Sequence, residues 1–240
     1  MVCPAEDVAI DQYLVVIPAF NEEHSIASVI RPMVERGFGV LVIDDGSHDQ
    51  TALCSEVAGA SVVRHCVNLG YGSALLTGYK YAVANSYAGV LQLDGDGQHD
   101  PVRAIDLLLP LQNGEADVIL GSRFLDAESY QVPRFRRMGQ EFYRFVIRFL
   151  TGMHITDPTT GCQALSGSVL HFLCRHPFPD DFPDANILLI LHRKRFRIIE
   201  KPLRMFASQG KSMHQGVLKP VYYLVKMTIS IFLAMTMKLH

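Results

Sequence analysis

Apolar runs of four or five residues alternate with longer mixed segments through the first half of the chain, and turn-forming residues punctuate them. The run at 13–17 (YLVVI) predicts a β-strand that Pro18 stops. A helix is expected over 22–36, then a strand over 40–43 (VLVI) ending at Asp44-Asp45-Gly46. A short helix follows over 49–58 with Asp49 as its N-cap, then a strand over 61–64 and a helix over 72–85. The pattern continues with a strand over 89–93 (GVLQL) ending at Asp94, a helix over 101–109 with Pro101 in its first turn, and a strand over 117–120. Strand and helix alternating at this spacing mean an α/β fold with a mostly parallel central sheet. Functional groups then gather at the carboxyl ends of the strands. The polar and glycine-bearing turns 18–22, 44–47, 68–72 and 94–98 all follow strands in this way.

The second half is less regular. An aromatic, arginine-rich amphipathic helix is expected over 135–150, a turn at 156–161 (TDPTTG), a helix over 186–195 after Pro183-Asp184, and a strand over 197–200. From 217 the sequence reads VLKPVYYLVKMTISIFLAMTMKLH, with eleven uncharged residues between Lys226 and Lys238. That is too short for a bilayer span, which needs about 20 residues. Lys219, Lys226 and Ser230 share one helical face, and Tyr222, Tyr223 and Phe232 suit a membrane interface. The segment reads either as an interfacial or partner-docking helix or as a buried terminal helix. Residues 1–213 are accordingly expected to form the main domain, and 214–240 a membrane-associating helix.

Composition narrows the class. With 240 residues, 49% hydrophobic and 19% charged, the chain is an ordinary globular protein, not a disordered or repetitive one. The net charge of −2 conceals two unlike halves. Residues 1–120 carry 5 Lys/Arg and 16 Asp/Glu; residues 121–240 carry 17 and 8. An acidic half suits a metal, and a basic half suits phosphate or an anionic membrane. Five cysteines without a C-x-x-C pair argue for a reducing compartment and against a zinc site. No secretory signal pattern opens the sequence, so a cytoplasmic location is expected. No RNA or DNA module is present, and nucleic acid is not expected as a partner.

The chemistry concentrates in Asp94-Gly-Asp96-Gly-Gln98-His99-Asp100-Pro101. Two carboxylates two residues apart at a buried strand end suit a hard cation, Mg²⁺ or Mn²⁺, bridging protein to a substrate diphosphate. Asp45 can accept hydrogen bonds from a base or ribose. Asn68-Leu-Gly70-Tyr-Gly72 leads into a helix and reads equally as a nucleotide loop or as close helix packing; it is neither G-x-G-x-x-G nor a P-loop.

Taken together, VVIPAFNEE (15–23), VIDDGSHDQT (42–51), NLGYGSALLTG (68–78), LQLDGDGQHDP (91–101), GSRF (121–124) and DPTTGCQAL (157–165) resemble the inverting glycosyltransferases of family 2. The likeness is greatest to dolichol-phosphate mannosyltransferases and related polyprenyl-phosphate sugar synthases. It covers most of residues 13–165 in order and spacing. EKPLRMFASQGKSM (200–213) is similar to a further family stretch, with Lys211 and Ser212 exchanged relative to the usual order. Many relatives also carry two or more membrane spans after the catalytic domain, where this chain has one short apolar stretch.

The resemblance implies a GT-A type, Rossmann-like nucleotide-sugar-binding domain. Pro18, Phe20 and Glu22 would lie around the base, Asp45 near base or ribose, and Asn68 and Gly72 in the nucleotide-sugar site. Asp94 would sit by the nucleotide-sugar, and Asp94, Asp96 and Gln98 would hold the metal. Arg123 would hold phosphate, and Arg136, Arg137, Arg204 and Lys211 would reach the acceptor or donor phosphates. Asp157 and Asp184 are the candidates for a catalytic base, although an ionised phosphate nucleophile needs none; a turn and a helix cap are their structural alternatives. The implied substrates are a UDP- or GDP-linked sugar and a polyprenyl phosphate at the cytoplasmic face of a membrane, with a small integral-membrane protein as a possible partner. A family 2 enzyme acting on a saccharide hydroxyl, and a non-catalytic nucleotide-sugar-binding or scaffold protein, are the competing classes. The complete 94–98 motif speaks against the last.

Overall fold

Strand β1 (Tyr13–Ala19) is apolar on both faces because both are covered. Leu14 and Val16 enter one core, with Tyr13, Val15 and Ile17 in the other. The computed structural model describes residues 8–126, 134–180, 183–206 and 218–236, with side chains at 134–140 and 218–225 outside the description. Beside β1 lie β2 (Gly39–Asp44), β3 (Ser61–Arg64), β4 (Gly89–Gln92), β5 (Val118–Ser122), β6 (Gln163–Ser166) and β7 (Ile198–Pro202). They form one sheet in the order β3-β2-β1-β4-β6-β5-β7. Every pairing is parallel except those of β6, which runs against both β4 and β5. The mostly parallel sheet is as expected; β6 was not foreseen.

The helices form a layer on each face. On one side α1 (Ile26–Val34) buries Ile26, Val29, Ile30 and Met33, and α4 (Pro101–Ala104) joins it after α2 (Thr51–Val57) and α3 (Tyr71–Ala84) in chain order. A 3₁₀ turn at Ile105–Leu107 and α5 (Leu108–Gln112) extend α4, so the single helix expected over 101–109 is broken into three pieces. On the other side lie α3, α6 (Arg134–Thr151), α7 (Gly167–Arg175), α8 (Ala185–Arg193) and α9 (Leu218–Thr236).

Two expectations change. Pro18 does not end β1, which runs on to Ala19. Leu93 N–H donates to Val16 O on the β4 side and Asp45 N–H to Ala19 O on the β2 side. Pro18 therefore turns its missing N–H toward β4, whose pairing has already ended at Val16. Asp49 is not the N-cap of α2, which starts two residues later, after Gln50. Its carboxylate nevertheless accepts Thr51 N–H at 3.0 Å, doing a cap's work from one residue upstream.

The C-terminal helix buries one face, as the terminal-helix reading expects. Met227, Ile231 and Ala234 of α9 are buried against α8, and Asn186 Nδ2 donates to Ser230 Oγ at 2.6 Å. Ser230 thus marks the docked face, while Ile229, Phe232 and Leu233 are exposed. No helix among the described residues is long and apolar enough to cross a membrane.

Candidate active site

Because β1 to β5 and β7 point the same way, their carboxyl ends meet at one sheet edge, together with the start of β6. The loops after β1 and β2 are stitched to each other there. Asn21 N–H donates to Ser47 Oγ, His48 N–H to Asn21 Oδ1, Glu22 N–H to Thr51 Oγ1 and Gln50 N–H to Glu23 Oε2. This lattice ties the backbone at Glu22 to the start of α2. Pro18 is buried within β1, whereas Phe20 is exposed at its end with its ring edge against His48, 6.3 Å between centroids.

Asp45 is buried and already well occupied. Its Oδ1 faces His65 Nδ1 at 2.7 Å and accepts Leu69 N–H at 2.9 Å; Oδ2 accepts Gly70 N–H at 2.8 Å. The carboxylate thus shapes the 68–70 loop, on which Asn68 is exposed. Gly72 follows the close-packing alternative. A Cβ there would lie 1.9 Å from Pro179 O, and Gly72 N–H donates to Asp180 O at 2.6 Å. The donor that a nucleotide loop would offer is spent on the 179–180 backbone.

Asp94 stands at the centre. Its Oδ1 accepts the Tyr71 hydroxyl at 2.8 Å. Tyr71 in turn accepts from Gln92 Nε2 at 3.1 Å, Gln92 Nε2 also donates to Gly161 O at 2.8 Å, and Tyr79 OH donates to Gln92 Oε1 at 2.5 Å. Gly161 packs directly on Asp94; a Cβ at 161 would fall 2.0 Å from Oδ2. His99 lies on the same side, its Nδ1 3.6 Å from Asp94 Oδ2. Burial, then the Arg123 charge, push its pKa down to about 4.

Asp94, Asp96 and Glu22 all have raised pKa values. Burial is the main cause in each. For Asp96 the charge of Asp94 adds to it, and for Glu22 the charges of Asp96, Asp94 and Asp49 do. Tyr71 and Arg123 oppose the shift at Asp94. Acids held together against their mutual repulsion form a donor set that a hard divalent cation fits. Among the described residues no three His, Cys, Asp or Glu side chains converge to hold a metal by themselves. Two carboxylates plus a substrate diphosphate remain the fitting arrangement. Gln98 has both backbone groups engaged: its N–H donates to Asp96 Oδ1 at 2.9 Å, and its carbonyl accepts Phe206 N–H.

Arg123 reaches the site from the end of β5. Its Nε donates to Asp157 Oδ2 at 2.5 Å, and Asp157 is fully buried. The loop carrying Asp157 is fixed from below, where Glu200 accepts Thr156 N–H at 2.7 Å and Asp157 N–H at 2.8 Å. Arg144 of α6 donates through Nε to Thr156 O, with its guanidinium over the Phe124 ring. Asp184 precedes α8, but its side chain does not cap that helix. Its charge adds a minor part to the upward pKa shifts of Tyr71 and Tyr143, for both of which burial is the main cause. Arg204 lies beside the acidic motif, since its carbonyl accepts Asp100 N–H and its guanidinium faces the Phe206 ring at 5.4 Å. The side chains of Arg136 and Arg137, and all of Lys211, lie outside the described residues.

The model of the family described as glycosyl transferase family 2 matches residues 14–173. The chain belongs to glycosyltransferase family 2. This family 2 chain is 30% identical to an uncharacterized protein of Methanocaldococcus jannaschii over 86% of either sequence. It is 26% identical to the UDP-N-acetylglucosamine–dolichyl-phosphate N-acetylglucosaminyltransferase of Methanococcus voltae, over 84% of this chain and 88% of that one. It is 31% identical to the polyprenol monophosphomannose synthase of Mycolicibacterium smegmatis, over 65% and 62%. Among solved structures it is similar to glucosyl-3-phosphoglycerate synthase from Mycobacterium tuberculosis in complex with Mn²⁺ and UDP-glucose. That match has a TM-score of 0.70 and 25% identity, covering 92% of this chain and 78% of that one. The fold of this family 2 glycosyltransferase is therefore GT-A, as its motifs implied.

The motifs did not single out Tyr71, Gln92, Tyr79 or Glu200 as parts of the site. Glu200 had a signal, as the first residue of a stretch already resembling the family. Tyr71 and Gln92 also lay inside matched stretches, but only the folded chain shows which residues they touch.

Proposed function

We propose that this glycosyltransferase moves a sugar from a UDP- or GDP-linked donor to a polyprenyl phosphate, with inversion, at the cytoplasmic face of a membrane. The observation that carries the donor half is part-buried Asp94, with Asp96 two residues on and with Arg123 held by Asp157, at one sheet edge. The acceptor half is supported by relatives named for dolichyl and polyprenyl phosphates and by the basic second half. Residues 1–213 form the catalytic unit in this reading, and 214–240 associate with the membrane or with a small integral-membrane partner.

An oxygen of the acceptor phosphate forms a bond to the anomeric carbon as the bond from that carbon to the diphosphate oxygen breaks on the opposite face. The nucleoside diphosphate leaves. Asp94, Asp96 and Gln98 would hold Mg²⁺ or Mn²⁺, which would supply positive charge to offset that of the diphosphate. Arg123 is fixed by Asp157 and presents its remaining N–H groups to phosphate, alongside Arg204, Arg136, Arg137 and Lys211. Asp157 then positions an arginine instead of abstracting a proton, and Asp184 stands within electrostatic reach of Tyr71. Pro18, Phe20 and Asp45 border the nucleoside, with Asn68 on the adjoining loop.

A second reading is favoured by the likeness to glucosyl-3-phosphoglycerate synthase, itself solved with phosphoglyceric acid: transfer to a hydroxyl of a saccharide or another small acceptor. Nucleotide release from a panel of UDP- and GDP-sugars with Mn²⁺ or Mg²⁺ separates the two. Release that depends on a short polyprenyl phosphate is the expected outcome. Release that ignores the lipid and rises with a saccharide or 3-phosphoglycerate would replace the first reading by the second.

A further inference from the structure

Helices α6 and α9 both pack on α8, and both leave apolar side chains in solvent. On α6, Tyr143 and Ile147 are buried, while Phe142, Phe145 and Phe149 are 44%, 66% and 77% exposed. The rings of Phe145 and Phe149 stack, 6.1 Å between centroids. Phenylalanines one turn apart on the outer side of a helix are the reverse of what a water-facing surface carries. On α9, Ile229, Phe232 and Leu233 are 56%, 65% and 60% exposed.

Charge identifies the occupant. The α6 sequence holds five arginines (134, 136, 137, 144 and 148) against one acid, Glu141, and Arg148 is exposed beside the phenylalanines. A self-complementary contact between two copies would set these arginine-rich helices against each other. An anionic bilayer accepts both features, rings in its interfacial layer and guanidinium groups on lipid phosphate. The helix is also tied to the site, because Arg144 Nε donates to Thr156 O, next to the Asp157 that holds Arg123.

We propose that the exposed aromatic stripe of α6 inserts into the interface of an anionic lipid bilayer. The C-terminal segment is then not the sole membrane contact, and α6 links the bilayer surface directly to the loop that positions Arg123. This rests on the proposed function only in placing the acceptor at a membrane; the docking itself requires no acceptor lipid.

The test is co-sedimentation of the full chain with phosphatidylcholine vesicles, with and without phosphatidylglycerol, in the absence of polyprenyl phosphate and donor. The wild type binds the phosphatidylglycerol vesicles. Phe145→Ser/Phe149→Ser weakens that binding at least about tenfold, given the apolar area withdrawn from the lipid. Phe145→Trp/Phe149→Trp retains it. All three proteins keep the same thermal midpoint and the same Mn²⁺-dependent shift with UDP or GDP. The proposal is overturned if the wild type ignores anionic vesicles or if the serine variant binds them as the wild type does. It is equally overturned if the serine pair only converts a dimer to a monomer with vesicle binding unchanged. A wrong acceptor assignment leaves these outcomes untouched, whereas failed docking with intact lipid-dependent turnover spares the proposed function.

Discussion

Gln92 fixes the direction of the hydrogen bond that reaches Asp94. The Gly161 carbonyl can only accept, so Gln92 must turn its nitrogen there, and the second hydrogen on that nitrogen goes to Tyr71 OH. Tyr71 is left to donate, and it donates to Asp94 Oδ1. One carboxylate oxygen is thus committed, and on the proposed function Oδ2 is the one left for the metal. Tyr71→Phe should lower kcat/KM roughly ten- to a hundredfold, as expected for a lost hydrogen bond to a charged group. It should weaken Mn²⁺ affinity while the fold melts normally; unchanged metal affinity would show that Tyr71 only packs. Asp96→Asn tests the acids themselves. It should abolish metal-dependent turnover while raising the apo midpoint, by about 2–4 °C per kcal/mol of repulsion relieved. Full activity in that variant would remove the metal assignment. Asp94 and Asp96 were legible because paired acids after a buried strand have few structural uses. Tyr71 and Gln92 were not, because each is an ordinary half-polar residue until residues 71, 92 and 161 are brought together.

At the scale of elements, the alternation of apolar runs located β1 to β5 well; β1, β4 and β5 are buried throughout and have no polar side to blur the signal. β6 is only Gln163–Ser166, and its run is too short and too mixed to stand out. Its antiparallel course separates β4 from β5 and brings Gly161 against Asp94, so the element hardest to read shapes the site most. The β5–β7 edge has its own clamp. Asp117 accepts Arg197 N–H at 2.8 Å and its Nε and Nη2 at 3.2 Å, which holds the carboxyl below the usual range. A lowered folded-state pKa contributes stability above the unfolded value of about 3.9, and that contribution is lost as pH falls through the folded one. Asp117→Asn should therefore destabilise at pH 7, with the difference from wild type shrinking as pH falls below about 4 in urea unfolding series. A difference constant with pH would mean the charge is irrelevant. The α8–α9 seam offers a second check. Ser230→Ala leaves Asn186 Nδ2 buried without its 2.6 Å partner and should cost about 1–3 kcal/mol of stability.

For the molecule as a whole, the split between acidic and basic halves was readable by counting, but the sequence alone could not show which surface it served. The acids of the first half gather partly at the sheet edge that carries Asp45, Asp94 and Asp96, while the second half contributes α6 and its arginines. On the docking proposal, an anionic bilayer would attract the arginine-rich α6 and repel the carboxylates of the first half, which favours an orientation with α6 toward the lipid. Attraction of this kind fades as the screening length falls from about 10 Å at 0.1 M salt to about 3 Å at 1 M, whereas ring insertion does not. Wild-type binding to phosphatidylglycerol vesicles should therefore weaken with salt to a residual plateau. Phe145→Ser/Phe149→Ser should have no plateau, because only the charge contribution is left to it. Co-sedimentation across a salt series reads both. Salt-independent wild-type binding would take the arginines out of the docking surface, and a plateau that survives the serine pair would take out the rings.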